Sequence, residues 1–336
     1  MVTVRTKLGV LGVLVLGGTS CGPEEAPTAR SKVIEDTSGA ESKMPRITPA
    51  EGFPAKVKNF NGRTALLESR PERVLAGDAS LMEGLVELIG PERMAALPRT
   101  AMTYSVLREE PGPWADHPVL GSFEAEEVLN QAPDLVVVHA YQTGSTLDRL
   151  IERDVPVVLF PVATTWKETL VTLQGLGRLV DEVPRSTKLI ADLERRRREL
   201  QSQSARSGLR VLPYGNYGSG GTTAGAGTTW QIMIELAGLR NAASEAGLDG
   251  HPEIDFEQLL ALDPDFFLVA LPEDQELGSS ESMLRAEPLL ANLRAVRKNR
   301  FLRLPEHLYS AASHHLLMAA ERIAAQADAA LGSTGE

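Results

Sequence analysis

Residues 123–138 read FEAEEVLNQAPDLVVV, and residues 254–269 read IDFEQLLALDPDFFLV. Both stretches follow one plan. A short helix-forming segment with glutamates near its start meets Pro-Asp (Pro133-Asp134, Pro264-Asp265), and a run of apolar residues follows. Proline has no N–H to continue a helix, so the helix must stop there. The apolar run does not alternate, which marks a strand covered on both faces, as in a parallel sheet flanked by helices. A second pair precedes the first: Val86–Gly90 (VELIG) and Ile234–Gly238 (IELAG), each the end of a helix closed by glycine. Two pairs in the same order predict two similar lobes.

Working outward, short apolar runs predict strands at Val74–Gly77, Met94–Leu97, Leu135–His139, Pro156–Phe160, Leu209–Tyr214, Phe266–Ala270 and Phe301–Leu304. Helix-length amphipathic stretches separate them, so the fold class is α/β with mainly parallel sheets. Lys56–Phe60 and Thr64–Leu67 flank Asn61-Gly62, a dipeptide suited to a hairpin turn. Between the lobes, Leu189, Leu193 and Leu200 recur at helical spacing beside the charge run Glu194–Glu199, which predicts one long connecting helix with a solvated charged face. The domain plan is a first lobe over 53–183, an interlobe helix over 184–207 and a second lobe over 208–332. Phe123 follows Gly90 by 33 positions, whereas Ile254 follows Gly238 by only 16. The first lobe therefore holds extra chain, Pro98–Asp116, with Arg99, Tyr104 and Trp114 in it. Extra loops on a repeated scaffold are where function concentrates.

The chain has 336 residues, 43% of them hydrophobic and 24% charged, enough for a sizeable core. A formal charge of -11 argues against a nucleic-acid partner, because phosphate binding needs a basic surface. Arg5 and Lys7 precede the apolar run Leu8–Leu16, and small residues lead to the single cysteine, Cys21. This arrangement predicts an export signal over 1–21, too short to span a bilayer, with Cys21 as a lipidated mature N-terminus. Gly18 stands where such cleavage motifs usually carry leucine. Residues 22–52 are rich in Pro, Glu, Ser, Thr and Ala without apolar periodicity, and are expected to be a polar tether.

In open α/β sheets ligands bind beyond the carboxyl ends of the strands. All five tyrosines (Tyr104, Tyr141, Tyr214, Tyr217 and Tyr309) fall in such positions or in the extra chain. Tyrosine offers a flat apolar ring with one polar handle, suited to chelates and macrocycles. Candidate ligand-binding residues are Asp78, Ser80, Arg99, Tyr104, Tyr141, Asn216, Tyr217, Trp230 and Tyr309. Asp78 and Ser80 also suit helix capping. The glycine-rich stretch Tyr214–Gly227 lacks the Lys-Ser/Thr ending of a phosphate loop and suits close backbone approach to a bulky ligand instead. His307, Tyr309, His314 and His315 crowd together, but two adjacent histidines at the start of a last helix cannot share one face, so no metal set and no cofactor are expected. No nucleophile elbow, Cys–His pair or paired carboxylates stand out, which points away from catalysis.

The hairpin and first strand (Asn61–Thr64, Arg70–Ala76), Ser80–Glu83, Ala132–Val136 and Glu235–Asn241 together resemble bacterial solute-binding proteins for iron-siderophores, haem and cobalamin. The resemblance runs from Phe53 to Leu331. It implies a ligand cleft between two lobes, delivery of cargo to the permease dimer of an ABC-type importer, and an extracytoplasmic, membrane-anchored location. It further implies that Glu126 and Glu257, equivalent in the repeat, dock on permease arginines. The alternatives are a ligand-sensing receptor of the same fold, or a secreted α/β transferase-type enzyme.

Overall fold

The computed structural model describes residues 44–48, 52–109, 111–142, 144–202, 206–216, 221–271 and 279–332. The export signal with Cys21, most of the tether and Tyr217 lie outside the described residues.

The folded chain opens with a small antiparallel sheet, β1 (Arg46–Thr48), β2 (Ala55–Lys58) and β3 (Thr64–Leu67). Ala55, Val57, Ala65 and Leu67 point inward, alternating with exposed residues. The turn closes through Asn59 N–H to Arg63 O (2.8 Å), with Gly62 at φ 84°. The tether expected over 22–52 is thus too long. Arg46–Thr48 pairs with β2, and Met44 and Ile47 pack on the core, giving this stretch the apolar anchors that the tether composition hides.

The first lobe continues through β4 (Val74–Ala76), α1 (Ala79–Ile89), β5 (Met94–Ala96), α2 (Ala101–Tyr104), α3 (Ala125–Asn130), β6 (Leu135–His139), α4 (Ser145–Glu152), β7 (Val157–Phe160) and α5 (Trp166–Leu179). Its four strands are parallel in the order β5-β4-β6-β7. Every strand residue of β4, β5, β6 and β7 is buried, as the non-alternating apolar runs require. Chain between β5 and α3 makes α2 and two 3-10 turns, and Trp114 in the second turn is buried in the lobe core rather than offered to a ligand.

Helix α6 (Val183–Gln201) leads to the second lobe. Its charge run is paired and largely solvated: Arg197 Nη2 to Glu194 Oε2 (2.9 Å), Arg195 Nη1 to Glu199 Oε1 (3.0 Å) and Arg196 Nη2 to Glu321 Oε2 (2.6 Å). The second lobe holds β8 (Arg210–Pro213), β9 (Gly215–Asn216), β10 (Gly221–Thr222), α7 (Thr229–Leu236), β11 (Arg240–Asn241), α8 (Ala242–Glu245), β12 (Glu253–Ile254), α9 (Phe256–Leu262), β13 (Phe266–Ala270), α10 (Ser280–Ala286), α11 (Arg294–Arg297), β14 (Phe301–Leu304), α12 (Glu306–Tyr309) and α13 (Leu316–Gly332). Its main sheet is again parallel, in the order β11-β8-β13-β14, and β9, β10 and β12 form a small antiparallel sheet.

The two parallel sheets share one topology: the first strand lies inside, the second on one side of it and the third on the other. Chain leaving β4 and chain leaving β6 therefore diverge, and a crevice opens at their carboxyl ends. Among the described residues no helix is long and apolar enough to cross a membrane.

A candidate binding site at the junction of the lobes

Asp78 follows β4 and caps α1. Its Oδ1 accepts from Ser80 N (2.9 Å), Leu81 N (3.1 Å) and Ser80 Oγ (2.7 Å), while its Oδ2 is buried without a hydrogen-bond partner. Ser80 Oγ also meets His139 Nε2 at 2.8 Å, at the carboxyl end of β6. A serine beside a histidine suggests a nucleophile and its base. Here the serine proton goes to Asp78, so His139 must donate to Ser80 rather than wait for its proton. Tyr141 stacks on the His139 ring at 5.6 Å and 22°. Tyr141 is 64% exposed overall, yet partial burial of its hydroxyl and the adjacent Asp78 carboxylate push the phenol up to about 12.

Glu83, one turn further along α1, is 2% exposed. Its Oε1 accepts from Val106 N (3.1 Å), in the extra chain of the first lobe, and its Oε2 accepts from Ser313 Oγ (2.5 Å), in the second lobe. His315 Nδ1 lies 3.2 Å from Oε1. Burial by itself would raise this carboxyl, but His315 and Ser313 outweigh it and hold it below the usual carboxylate range. Glu83 thereby ties together the first-lobe helix, the extra chain and the second lobe.

Above it lies a cavity of about 490 Å³, lined by Asp78, Ser80, Glu83, Thr100, Tyr104 and Tyr141 from the first lobe and by Glu306 and Ser310 from the second, with Ala79 and Ala312. That volume is usual for a small-molecule site. Its described wall carries three carboxylates, five hydroxyls and no lysine or arginine.

Of the residues singled out in the sequence, Asp78, Ser80, Tyr104 and Tyr141 share this cavity. The others lie elsewhere. Arg99 donates to Gly121 O at 3.4 Å on the outer side of the extra chain. Asn216 donates from Nδ2 to the Tyr214 hydroxyl (3.3 Å) beside the small sheet. Trp230 packs edge-on against His251 (5.0 Å) and Tyr309 (5.3 Å). Tyr309 needs correction: it is only 5% exposed, its ring is part of the second-lobe core, and its hydroxyl points to Tyr214 O at 3.5 Å. Helix α12 starts directly after β14 and turns its fourth residue inward. Tyr214 is likewise buried, at 1%. Glu126 and Glu257 are exposed, each the second residue of α3 and α9.

Sequence reasoning missed Glu83, His139, Glu306 and Ser310. A signal existed for two of them. Glu83 is a charge inside a run whose neighbours Met82 and Gly84 are both buried, and His139 closes a strand two residues before a candidate tyrosine.

The sequence pattern of the periplasmic binding proteins matches residues 85–308, two thirds of the chain. The chain belongs to the periplasmic binding protein family. The members of this family are extracytoplasmic solute-binding proteins, not enzymes. Solved structures repeat the fold. A periplasmic heme-binding protein from Roseiflexus sp. RS-1 is 21% identical, with a TM-score of 0.64 over 76% of this chain and 99% of that one. An ABC-type Fe3+-hydroxamate transport system protein from Saccharomonospora viridis is 21% identical, with a TM-score of 0.65 over 82% and 99%. A periplasmic binding protein from Veillonella parvula is 17% identical, with a TM-score of 0.68 over 79% and 93%. No curated protein sequence matches the chain.

Proposed function

We propose that the protein is an extracytoplasmic solute-binding lipoprotein that captures an iron chelate, haem or cobalamin and delivers it to an ABC-type importer. The observation that carries this reading is the cavity of about 490 Å³ walled by both lobes and flanked by two half-exposed tyrosines, Tyr104 and Tyr141. Flat rings with polar tips suit a large, partly apolar ligand with hydrogen-bonding edges. The carboxylates Asp78, Glu83 and Glu306 disfavour a cargo with strong negative charge, since like charges meet at a desolvated wall. A neutral or cationic chelate, such as a ferric hydroxamate, fits this wall better than an anionic catecholate. Similar folds in an Fe3+-hydroxamate transport protein and in heme-binding proteins support the same range of cargo.

Haem is the second reading. The exposed Tyr141 phenol is a side-chain type that ligates haem iron, and the His139 ring stacked beneath it, with Nε2 engaged by Ser80, positions it. Lipid anchoring rests on the export signal that ends at Cys21.

The test is intrinsic fluorescence of the purified protein titrated in parallel with a ferric hydroxamate, a ferric catecholate, haem and cobalamin. Saturable quenching by one of them, with the ligand recovered unchanged, is the expected result. No quenching by any of the four, or chemical turnover of the ligand, would overturn the reading.

A further inference from the structure

Adjacent residues on a helix point about 100° apart, which would keep His314 and His315 from serving one ion. They are not on the helix. Both sit in the turn before α13, where backbone direction is free to change, and their ring centroids are 4.2 Å apart with planes tilted 40°. Across the lobe junction, α1 presents Glu87 one turn beyond Glu83. One side-chain ligand atom from each of Glu87, His314 and His315 lies within 4.8 Å of the other two.

Ordinary packing leaves one feature of this cluster unexplained. His314 and His315 are 4% and 8% exposed, and His315 Nδ1 faces Glu83 Oε1 at 3.2 Å, whereas His314 Nδ1 is buried without a hydrogen-bond partner. A buried polar atom left unpaired costs on the order of 1–3 kcal/mol, so it calls for a partner. Arg196, the nearby cation, is already engaged by Glu321 at 2.6 Å.

We propose that Glu87, His314 and His315 form a divalent transition-metal site that staples the two lobes. Two imidazoles and one carboxylate suit zinc, and nickel or cobalt in its place; calcium and magnesium prefer all-oxygen sets. A tetrahedral ion with bonds of about 2.0–2.1 Å holds its ligand atoms about 3.4 Å apart, so a set lying within 4.8 Å must draw in by side-chain rotation, which the exposed Glu87 is free to make. Exposure of Glu87 also gives the ion a path in, and leaves water to complete its coordination. Glu83 holds the same turn from beneath through Ser313, in the position of a carboxylate that orients metal-binding histidines. Because Glu83 also lines the cargo cavity, the staple fixes the floor on which cargo rests. This ion is separate from any iron carried as cargo, and the inference does not depend on the proposed cargo.

The experiment titrates the full chain, free of cargo, with Zn²⁺ alone by calorimetry, and repeats the titration with Co²⁺ by visible absorption. Expected are one zinc per chain that is lost in the variant, a zinc-dependent rise in Tm of a few degrees or more, and Co²⁺ d–d bands of a nitrogen–oxygen set. His314→Ala removes a buried ring and can fail to fold for that reason alone. Glu87→Gln changes only an exposed position and carries the test: it should keep the zinc-free Tm and weaken zinc binding by at least about tenfold. The difference between wild type and Glu87→Gln cancels any metal held elsewhere on the chain. Zinc binding, Tm shift and Co²⁺ spectrum all unchanged in Glu87→Gln, or no binding in wild type, would overturn the site.

Discussion

Tyr104 and Tyr141 offer 42% and 64% of their surfaces to solvent at the mouth of a polar cavity, an expense of exposed aromatic area that a ligand would recover. Truncating such an anchor costs on the order of 2 kcal/mol, so Tyr104→Ala and Tyr141→Ala should each weaken cargo binding by roughly 30-fold. Neither ring belongs to a core cluster, so stability should change by less than about 0.5 kcal/mol. Titration of both variants with the identified cargo checks this, and wild-type affinity in both would remove the tyrosine wall from the account. At this scale the sequence was legible in part. It placed tyrosines at the carboxyl ends of strands, because strand ends follow from apolar runs. It could not say which way a ring turns, and so Tyr214 and Tyr309, which close on the second-lobe core, looked the same as Tyr141. Glu83 escaped because its partners Val106, Ser313 and His315 lie 23, 230 and 232 positions away.

The seven strands expected from apolar runs are all present within one or two residues, and the connecting helix spans Val183–Gln201. Parallel strands covered on both faces leave a local signature that needs no knowledge of partners. What stayed hidden at the element scale is how closely elements approach. A Cβ on Gly177 of α5 would stand 2.1 Å from Ser186 Oγ on α6, so these helices pack with no room for a methyl group. Gly177→Ala should destabilise by about 1–3 kcal/mol in urea unfolding, and adding Ser186→Gly should restore part of that loss. A second contact is polar. Glu281 of α10 accepts from Arg303 Nε (2.6 Å) and Arg285 Nε (2.8 Å), and the Arg285 guanidinium lies 4.3 Å from the centre of the Phe301 ring. Burial would raise Glu281, but the two arginines prevail and hold it below its ordinary value of 4.5. A carboxyl depressed in the folded state binds fewer protons than in the unfolded chain. Its stabilisation is therefore complete above pH 4.5 and is lost as pH falls through the folded value. Glu281→Gln should cost about 1–3 kcal/mol at neutral pH, and the gap to wild type should narrow as pH falls below 4.5. A gap independent of pH would assign the loss to packing instead.

The two lobes repeat one sheet topology, and the outer surface should carry the consequence. Glu126 and Glu257 are 131 positions apart, yet each is the second residue of the short helix that leads into the third strand of its sheet. Both are exposed at the amino ends of their helices, and neither lines the cavity. An importer permease built from two like halves would need one contact on each lobe, and equivalent residues on a duplicated fold provide that pair. Opposite charges across such an interface set register and encounter rate more than raw affinity. Helix-start glutamates are also stabilised by the helix dipole, by about 0.3–1 kcal/mol each, so some cost of removal is expected without any partner. Reversing both charges separates the two roles. Glu126→Arg with Glu257→Arg should leave cargo affinity at the wild-type level and lower stability by no more than about 2 kcal/mol, the limit set by two dipole contacts. Uptake through the cognate permease should fall sharply, because like charges brought together at an interface cost several kcal/mol. Each single reversal should give an intermediate loss, since each leaves one lobe docked. Residual uptake by the single variants should rise with ionic strength as the new repulsion is screened, the opposite of the trend for wild type. Uptake and equilibrium binding measured on the same variants decide the matter: wild-type transport by the double variant removes the docking role, and lost cargo binding would instead move these glutamates into the fold or the cleft.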